Sequence, residues 1–221
     1  MAKPPADRRL DELVDLLIKN ATVVVSGTKM ASQLHVAPST LWECMERLRS
    51  LGVEIRGLPG TGYQLEKVPD VLTVQAVRRS LHHGRFGCRV VHSYRTDSTM
   101  NEAQRLAAES APHGTLVIAE EQTAGRGRFG RQWFSERGAG LYFTLLLRPA
   151  LTPAAAPILT LLAGIAIAET IREICQLSVD QRWPNDVLVR EKKCAGILVE
   201  MTAEPERIAH VLMGVGINVN H

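Results

Sequence analysis

The chain has 221 residues, and 45% of them are hydrophobic, which excludes an intrinsically disordered protein and allows one or two domains with a real core. The formal net charge of +3 is too small to indicate a nucleic-acid partner by itself. The N-terminal segment MAKPPADRRLDE is polar and lacks the form of a signal peptide. Four cysteines lie far apart without CxxC spacing, which predicts reduced thiols in a cytoplasmic protein; they are Cys44, Cys88, Cys175 and Cys194.

The first part of the chain has the pattern of a winged helix-turn-helix. Apolar residues at helical spacing predict a helix over residues 8–20, and a second, short helix follows Ser26, which fits an N-cap. The segment HVAP makes a tight connection to a longer helix that starts at Ser39 and is closed by Gly52. The segment VEIRGLPGTGYQL then predicts two strands joined by a turn. Two helices joined by a short turn and followed by a hairpin are typical of a winged helix-turn-helix, which closes here near Leu65.

Longer, mixed helices and strands follow the segment EKVPDVL, which is typical of a linker. A short helix from about Thr73 to His82 comes first. The further predicted elements are strands at 88–94, 115–121, 141–148, 187–190, 194–202 and 209–219 and helices at 99–110 and 155–175. The apolar stretch PILTLLAGIAIAETIREIC is too short and too interrupted by charge to span a membrane, so we expect a buried helix. The sequence therefore predicts a small N-terminal module and a larger α+β domain.

The segment GRGRFGR contains glycines in the G-x-G-x-x-G spacing of dinucleotide-binding proteins. A dinucleotide fingerprint requires a strand before the glycines and a helix that starts on them. The strand TLVIAEE is present, but the chain then continues into turns and a β-rich segment, so the Rossmann interpretation fails. What remains is a glycine loop with three guanidinium groups, from Arg126, Arg128 and Arg131, whose planar forks suit a carboxylate or a phosphate. The alternative is a solvated basic turn.

Three further segments weaken the alternative of a solvated turn. In RWPNDVLV, Asn185 and Asp186 could form an Asx turn, hold a ribose or supply oxygen ligands to Mg²⁺. In KKCAGILVEM, Lys193 opens an apolar strand, where it could be solvated or could stabilise charge on a transferring phosphoryl or carboxyl group. In GVGINVN, Gly214 and Gly216 lie within a strand, which commonly marks the close approach of a ligand or another backbone.

Taken in order, these motifs resemble the biotin protein ligase family. The resemblance covers nearly the whole chain, from the winged module through DSTMNEA, EEQTAGRGRFGRQWFS, RWPNDV, KKCAGILVE and GVGINVN. It implies an α+β fold in which a winged helix-turn-helix DNA-binding domain, residues 1–66, precedes a mixed-sheet catalytic domain, residues 67–221. That catalytic domain would resemble the cores of class II aminoacyl-tRNA synthetases and biotin ligases. The family normally continues into a small C-terminal β-domain, which we expect to be absent because the sequence ends at His221.

The resemblance implies two half-reactions. Biotin and MgATP would give biotinyl-5′-adenylate and pyrophosphate, and a lysine of a biotin carboxyl carrier protein, from acetyl-CoA carboxylase or a similar enzyme, would then displace AMP. The first step brings a carboxylate against a polyanion, so cationic and amide donors must gather both. The implied ligands are biotin, ATP and Mg²⁺. The implied partners are the carrier protein and operator DNA, with a ligand-promoted homodimer in the cytoplasm and no membrane association.

By position, the resemblance also assigns the biotin side of the site. Hydroxyl and amide contacts to the ureido ring would come from Ser98, Thr99 and Gln122. The missing side chains of Gly196 and Gly214 would leave room for the valeryl chain. The full set of biotin-binding residues would be Ser98, Thr99, Gln122, Gly125, Gly127, Lys193, Gly196 and Gly214. The family often has Ser-Thr-Asn where this chain has Ser98-Thr99-Met100, so the asparagine role is not assigned to Asn101.

The nucleotide side is assigned in the same way. The catalytic residues would be Arg126, Arg128 and Lys193. The nucleotide-binding residues would be Arg128, Arg131, Trp133, Asn185, Asp186 and Asn218, and Asp186 would also hold Mg²⁺. Trp133 and Asn218 would serve the adenine by stacking and hydrogen bonding.

The N-terminal module has no excess of positive charge, which is unusual for a DNA-binding domain. Residues 1–66 carry eight Lys or Arg residues and eight Asp or Glu residues, although DNA-binding proteins usually gain affinity by neutralising phosphates. The candidate DNA contacts are Ser39, Thr40, Arg47 and Arg56. The alternative is a winged-helix module that serves dimer geometry or carrier docking.

Two functions from different classes therefore remain open at the level of sequence. One is an ATP-dependent ligase that is also a biotin-responsive repressor. The other is a transcription regulator that binds biotin or its adenylate without turnover.

Overall fold

The computed structural model describes residues 5–81 and 84–220, and the chain forms two compact units. The first unit is Met1–Ser80 and the second is Leu81–His221. The linker and the short helix after it therefore belong to the first unit, whereas the sequence-based domain boundary followed residue 66. The predicted end of that helix, His82, lies outside the described residues. All four cysteines are free.

The first unit has the helix-turn-helix and hairpin order that the sequence predicts. Its elements are α1 (Pro5–Lys19), α2 (Gly27–Gln33), α3 (Pro38–Ser50), the antiparallel pair β1 (Ile55–Leu58) and β2 (Gly62–Leu65), and α4 (Val74–Ser80). The predicted apolar faces of the first three helices form its core. Side chains that are at most 1% exposed there are Leu10, Leu13, Val14, Leu17, Met30, Met45 and Leu48.

Two helix starts in this unit differ in detail from the prediction. Ser26 holds the N-cap position of α2, but its side chain does not cap the helix and instead lies 2.7 Å from Thr28 Oγ1. Helix α3 begins at Pro38, one residue before the predicted Ser39. Proline is favoured at this position because the N–H that it lacks would have no partner inside the helix.

Helix α4 is tied to α1 by one buried threonine. The Thr73 hydroxyl donates to Asp15 Oδ1 at 2.9 Å and accepts from the Ala76 N–H at 3.1 Å. Thr73 therefore caps the start of α4 and at the same time connects α4 to α1. This contact explains why the segment after the hairpin belongs to the first unit.

The second unit is built on a seven-stranded mixed sheet with the order β3-β4-β5-β9-β8-β7-β6. In this sheet β3 and β4 pair in parallel, and the other neighbouring strands pair antiparallel. Its strands are β3 (Val90–Ser93), β4 (Thr115–Ala119), β5 (Gly140–Leu147), β6 (Val179–Arg182), β7 (Asp186–Val189), β8 (Lys192–Ala203) and β9 (Ile208–Asn218). Its helices are α5 (Thr99–Ala108) and α6 (Ile158–Cys175). The predicted elements are present within a few residues, but the short, polar strand β6 was missed because VDQR carries no apolar alternation.

The two helices of this unit cover opposite faces of the sheet. Leu146 and Leu212 pack with α5, whereas the adjacent residues Leu147 and Val211 belong to the cluster that packs with α6. Successive side chains of a strand point to opposite faces, so these neighbours divide the core into two layers.

Helix α6 is not the buried helix that we expected. Its inward residues Gly164 and Ala168 are buried, but Leu162 is 53% exposed and Ile174 is 75% exposed. Among the described residues, the helical segment Pro153–Cys175 is also long and apolar enough to cross a membrane by length and composition, which corrects the expectation that it is too short. In the fold, one side of α6 instead covers the sheet.

Candidate functional site

Most of the predicted site residues meet at one cavity beside the start of α5. The residues from the prediction that line it are Ser98, Thr99, Gln122, Arg126, Gly127, Arg128, Trp133, Asn185, Lys193, Gly196 and Gly214. The cavity volume is about 50 Å³. Small-molecule sites usually enclose about 300–1,000 Å³, so a ligand of that class enters only if the surrounding side chains move.

The first turn of α5 forms one wall of the cavity. The Ser98 hydroxyl oxygen caps the helix by accepting from the Met100 N–H at 3.3 Å. Asp97 accepts from Asn101 Nδ2 and from the Ser98 N–H, both at 2.7 Å, and these bonds, that from Asn101 above all, lower the pKa of the Asp97 carboxyl. Ser98 and Thr99 are thereby fixed at the wall. Asn101 donates to Asp97 at the start of the helix and does not line the cavity, whereas Met100, at the position where the family often has asparagine, does line it.

A chain of hydrogen bonds connects the predicted ureido contacts. The N–H and the hydroxyl of Thr99 both donate to Gln122 Oε1, at 2.8 and 3.1 Å. Gln122 Nε2 in turn donates to Ser135 Oγ at 2.9 Å, and the Thr144 hydroxyl donates to Thr99 Oγ1 at 2.8 Å. Ser135 and Thr144 were not among the residues that the sequence predicted for this site.

The glycine-arginine loop folds back on itself. The Gly127 N–H donates to the Arg131 carbonyl at 2.7 Å, and the Trp133 N–H donates to the Gly125 carbonyl at 2.9 Å. A Cβ on Gly125 would lie 2.3 Å from the Trp133 carbonyl oxygen, so only glycine fits there. A single 3₁₀ turn, Arg128–Gly130, follows Gly125 and Gly127 and leads to β5 rather than to an α-helix, which confirms the rejection of the Rossmann interpretation.

Among the described residues, three cationic side chains reach the cavity, and each contacts a polar partner of the protein. The contacts are Arg126 Nη2–Glu200 Oε2 at 3.1 Å, Arg128 Nη1–Asn185 Oδ1 at 2.9 Å and Lys193 Nζ–Asp186 Oδ1 at 2.8 Å. The two ion pairs are partly exposed, so each contributes at most about 1 kcal/mol. A ligand anion can therefore replace the protein carboxylates at little cost.

Lys193 points into the site at the start of β8. Its ammonium lies 5.2 Å from the centre of the Trp133 ring, within the range of a cation–π interaction, and forms an ion pair with Asp186. Asn218 on the neighbouring strand donates from Nδ2 to the Lys193 carbonyl at 3.0 Å. Asn218 thus orders the backbone that carries Lys193.

The indole of Trp133 lies over the glycines of β8 and β9. A Cβ on Gly216 would be 2.4 Å from Trp133 Cε2 and Nε1, and one on Gly196 would be 2.8 Å from Trp133 Cζ3. A Cβ on Gly214 would be 2.8 Å from Met100 Sδ. The space that we expected to receive a valeryl chain is therefore filled by Trp133 and Met100 in this state.

The residues offer one carboxylate for a metal ion. Among the described residues, no group of three or more His, Cys, Asp and Glu side chains could hold a metal. Magnesium is usually bound through one or two carboxylates together with substrate phosphates, so Asp186, with Asn185 beside it, fits such a role. A magnesium ion there would replace Lys193 as the partner of Asp186.

A few predicted residues lie outside the lining of the cavity. They are Gly125, Arg131, Asp186 and Asn218. Arg131 is exposed, and the other three act through the backbone or through Lys193 as described above.

Three functional candidates were missed by the sequence analysis: Ser135, Thr144 and Glu200. Thr144 is a hydroxyl in the otherwise apolar strand GLYFTLLL, and Glu200 is an acidic residue in the apolar part of β8. A polar residue within an apolar strand could have identified Thr144 and Glu200, because a polar group that is removed from water needs a hydrogen-bonding or ionic partner.

In the first unit, the arginines of α3 are engaged by the protein. Arg47 Nη2 lies 3.0 Å from Asp7 Oδ1, and Arg49 pairs with Glu46 and donates to the Ile55 carbonyl. The other candidate DNA contacts remain accessible. Ser39 and Arg56 are exposed and Thr40 is partly exposed.

Two family models match the chain. The biotin/lipoate A/B protein ligase family matches residues 92–218, and an HTH domain matches residues 9–64. The bifunctional ligase/repressor BirA of Bacillus subtilis is 39% identical over 209 residues. That alignment covers 95% of this chain but 64% of the relative, so the chain spans less than two thirds of that protein's length.

Solved structures of biotin protein ligases resemble part of this chain. The enzyme of Leishmania major in complex with biotinyl-5-AMP has a TM-score of 0.52 and 27% identity, and covers 61% of this chain and 58% of its own. The enzyme of Aquifex aeolicus in complex with biotin and ATP has a TM-score of 0.50 and 36% identity, and covers 61% of this chain and 53% of its own.

Proposed function

The chain belongs to the biotin/lipoate A/B protein ligase family, and we propose that it activates biotin with ATP and transfers the biotinyl group to a lysine of a biotin carboxyl carrier protein. The observation that carries this proposal is that three cations and a chain of neutral hydrogen-bonding groups meet at one cavity. The cations suit the carboxylate and the phosphates, which repel one another in water. The neutral hydroxyl and amide groups suit a ureido ring.

The first half-reaction assigns the cations to the reacting groups. A carboxylate oxygen of biotin attacks the α-phosphorus of ATP, and the bond to pyrophosphate breaks. Lys193 and Arg128 would leave Asp186 and Asn185 to stabilise the negative charge that develops on the α-phosphate. Magnesium, when bound at Asp186, would supply further neutralisation of the phosphates.

The second half-reaction uses the mixed anhydride formed in the first. The neutral amine of the acceptor lysine attacks the acyl carbon of biotinyl-5′-adenylate, an amide bond forms, and AMP leaves. Arg126 would hold the adenylate in place during this step, because its guanidinium reaches the cavity and is paired there with the half-exposed Glu200. The loop must also exclude water, since water would hydrolyse the anhydride.

The test is direct formation of the adenylate. The chain is mixed with biotin, ATP labelled at the α-phosphate and Mg²⁺, and the products are separated; we expect labelled biotinyl-adenylate and pyrophosphate. Biotin binding without either product would favour the regulator that does not turn over. Absence of both binding and product would reject the proposed substrate.

We also propose a DNA-binding role for the first unit, because it matches an HTH domain and its α3 presents Ser39 and Thr40 in the first turn. With Arg47 and Arg49 held by carboxylates, one copy is expected to bind DNA weakly. A homodimer promoted by the adenylate would place two recognition helices on one duplex and let weak contacts add.

A gel-shift titration against the upstream DNA of the chain's own gene tests the repressor role. We expect tighter binding when biotin and ATP are both present. Equal binding with and without them would reject the corepressor mechanism, and the absence of binding in both would leave a winged-helix module with another role, such as carrier docking.

The proposal places the protein in the cytoplasm and away from the membrane. One side of α6 covers the sheet through Gly164 and Ala168, so insertion of this helix in a membrane would expose the core of the unit.

A further inference from the structure

One fully buried hydroxyl forms one end of the hydrogen-bonding chain at the biotin side of the cavity. Thr144 lies on β5, directly opposite Gly214 of β9, which lines the cavity. Its side chain is 0% exposed among apolar neighbours of β5. A buried hydroxyl costs free energy unless it makes a hydrogen bond, and Thr144 makes its bond to Thr99 Oγ1 at 2.8 Å.

The direction of every bond in this chain follows from chemistry. The backbone N–H of Thr99 can only donate, so the Gln122 atom that it contacts is the carbonyl oxygen Oε1. The Thr99 hydroxyl contacts the same oxygen, so its single proton is used there. Thr99 Oγ1 can then only accept from Thr144, and the hydroxyl proton of Thr144 must point toward Thr99.

These directions leave a defined polarity at the cavity wall. With its proton on Gln122, Thr99 can offer only a lone pair to a ligand, and it is therefore an acceptor. Gln122 Nε2 donates one proton to Ser135 Oγ and keeps its second N–H as a donor. The Ser98 hydroxyl oxygen accepts from the Met100 N–H and keeps its own proton to donate. An acceptor beside two donors matches the N–H and C=O groups of a cyclic urea.

We propose that Thr144 is a positioning residue for the ureido ring of biotin, which it never touches. By donating to Thr99 Oγ1, it holds the Thr99 hydroxyl in the orientation in which its proton lies on Gln122 Oε1 and a lone pair faces the cavity, where a ureido N–H can donate to it. The inference rests on the proposed function, since it assumes that biotin is the ligand.

The test compares biotin and ATP binding by calorimetry in the full chain and in three variants. Thr144→Val removes the hydroxyl and keeps the size of the side chain, and it should weaken biotin binding about five- to tenfold, the worth of one buried hydrogen bond. ATP binding should stay within about twofold, because the hydroxyl chain faces the biotin side. Thr144→Ser keeps the hydroxyl and should bind biotin like the unmodified chain.

Thr115→Val is the matched control. Thr115 is also 0% exposed on the neighbouring strand, and its hydroxyl donates to the Pro112 carbonyl at 2.8 Å, away from the cavity. This variant should lose stability and keep its affinity for biotin. Equal affinities in Thr144→Val and Thr115→Val, or a Thr144→Ser variant as weak as Thr144→Val, would overturn the inference.

Two further outcomes are distinct. If the unmodified chain does not bind biotin at all, the proposed function fails and the inference falls with it. If Thr144→Val does not fold, Thr144→Ala applies the same test with a smaller side chain, and unchanged biotin affinity there would overturn the positioning role.

Discussion

Replacement of Gly216 by alanine should displace Trp133 from the floor of the cavity. The three atoms nearest to a Cβ at this position all belong to Trp133, and the closest would lie at 2.4 Å. Ordinary contact begins at 3.4 Å, so the indole must move by about 1.0 Å or more, the difference between these two distances. Overpacking of this kind costs about 1–3 kcal/mol.

The clash between the alanine Cβ and Trp133 predicts an energetic coupling between positions 216 and 133. In a Trp133→Ala background the obstacle is gone, and alanine in place of glycine in a strand should then stabilise by about 0.5–1 kcal/mol. The effect of Gly216→Ala on the free energy of unfolding should therefore change sign between the two backgrounds. A double-mutant cycle by urea denaturation measures this coupling, which we expect to be about 1.5–4 kcal/mol, the sum of the two effects.

Tryptophan fluorescence reports the same displacement. The chain has three tryptophans, and Trp42 and Trp183 are already 57% and 78% exposed, whereas Trp133 is partly buried. Gly216→Ala should shift the emission to longer wavelength and increase quenching by iodide. Gly57→Ala is a matched control, because a Cβ on that strand glycine would approach the flexible end of Arg49 at 3.1 Å and the Tyr63 ring at the ordinary contact distance of 3.8 Å. Additive stabilities together with an unchanged emission spectrum would refute the assignment of Trp133 to these glycines.

Three other predictions concern charged groups. Arg126→Ala and Arg128→Ala should each weaken binding of the adenylate by tenfold or more, since a charge-assisted hydrogen bond is worth roughly 1.5–3 kcal/mol; equal calorimetric affinities would exclude both arginines. Lys193→Gln should reduce adenylate formation far more than it changes the melting temperature, because its ion pair with Asp186 is 42% and 25% exposed. Burial, with Arg148 nearby, lowers the pKa of His210 below its ordinary 6.5, so the unfolded chain takes up the proton first and stability falls as the pH drops below 6.5. His210→Gln should reduce that fall in melting curves recorded at pH 8 down to about pH 5, and an identical pH profile would contradict it.

The sequence by itself determined the elements and the order of the motifs. Apolar spacing along single segments marks α1, α3 and α5 and the longer strands, because a helix or strand face repeats every few residues. The two family matches agree with that order. The same local rule could not identify β6, whose four residues are mostly polar, or the exposed side of α6, since periodicity does not say which apolar face is covered.

The tertiary structure alone decided the partners of the site residues. Arg126 meets Glu200, which lies 74 residues away in the chain, and Thr144 meets Thr99 across 45 residues. Neither contact follows from local spacing, because each depends on the order of the strands in the sheet and on the register between them. The same register puts Gly196 beside Gly216 and so makes the flat floor on which Trp133 lies. The residue types that bind a ligand can therefore be recognised in the sequence. The direction of their hydrogen bonds and the free space around them are set only when distant strands pair.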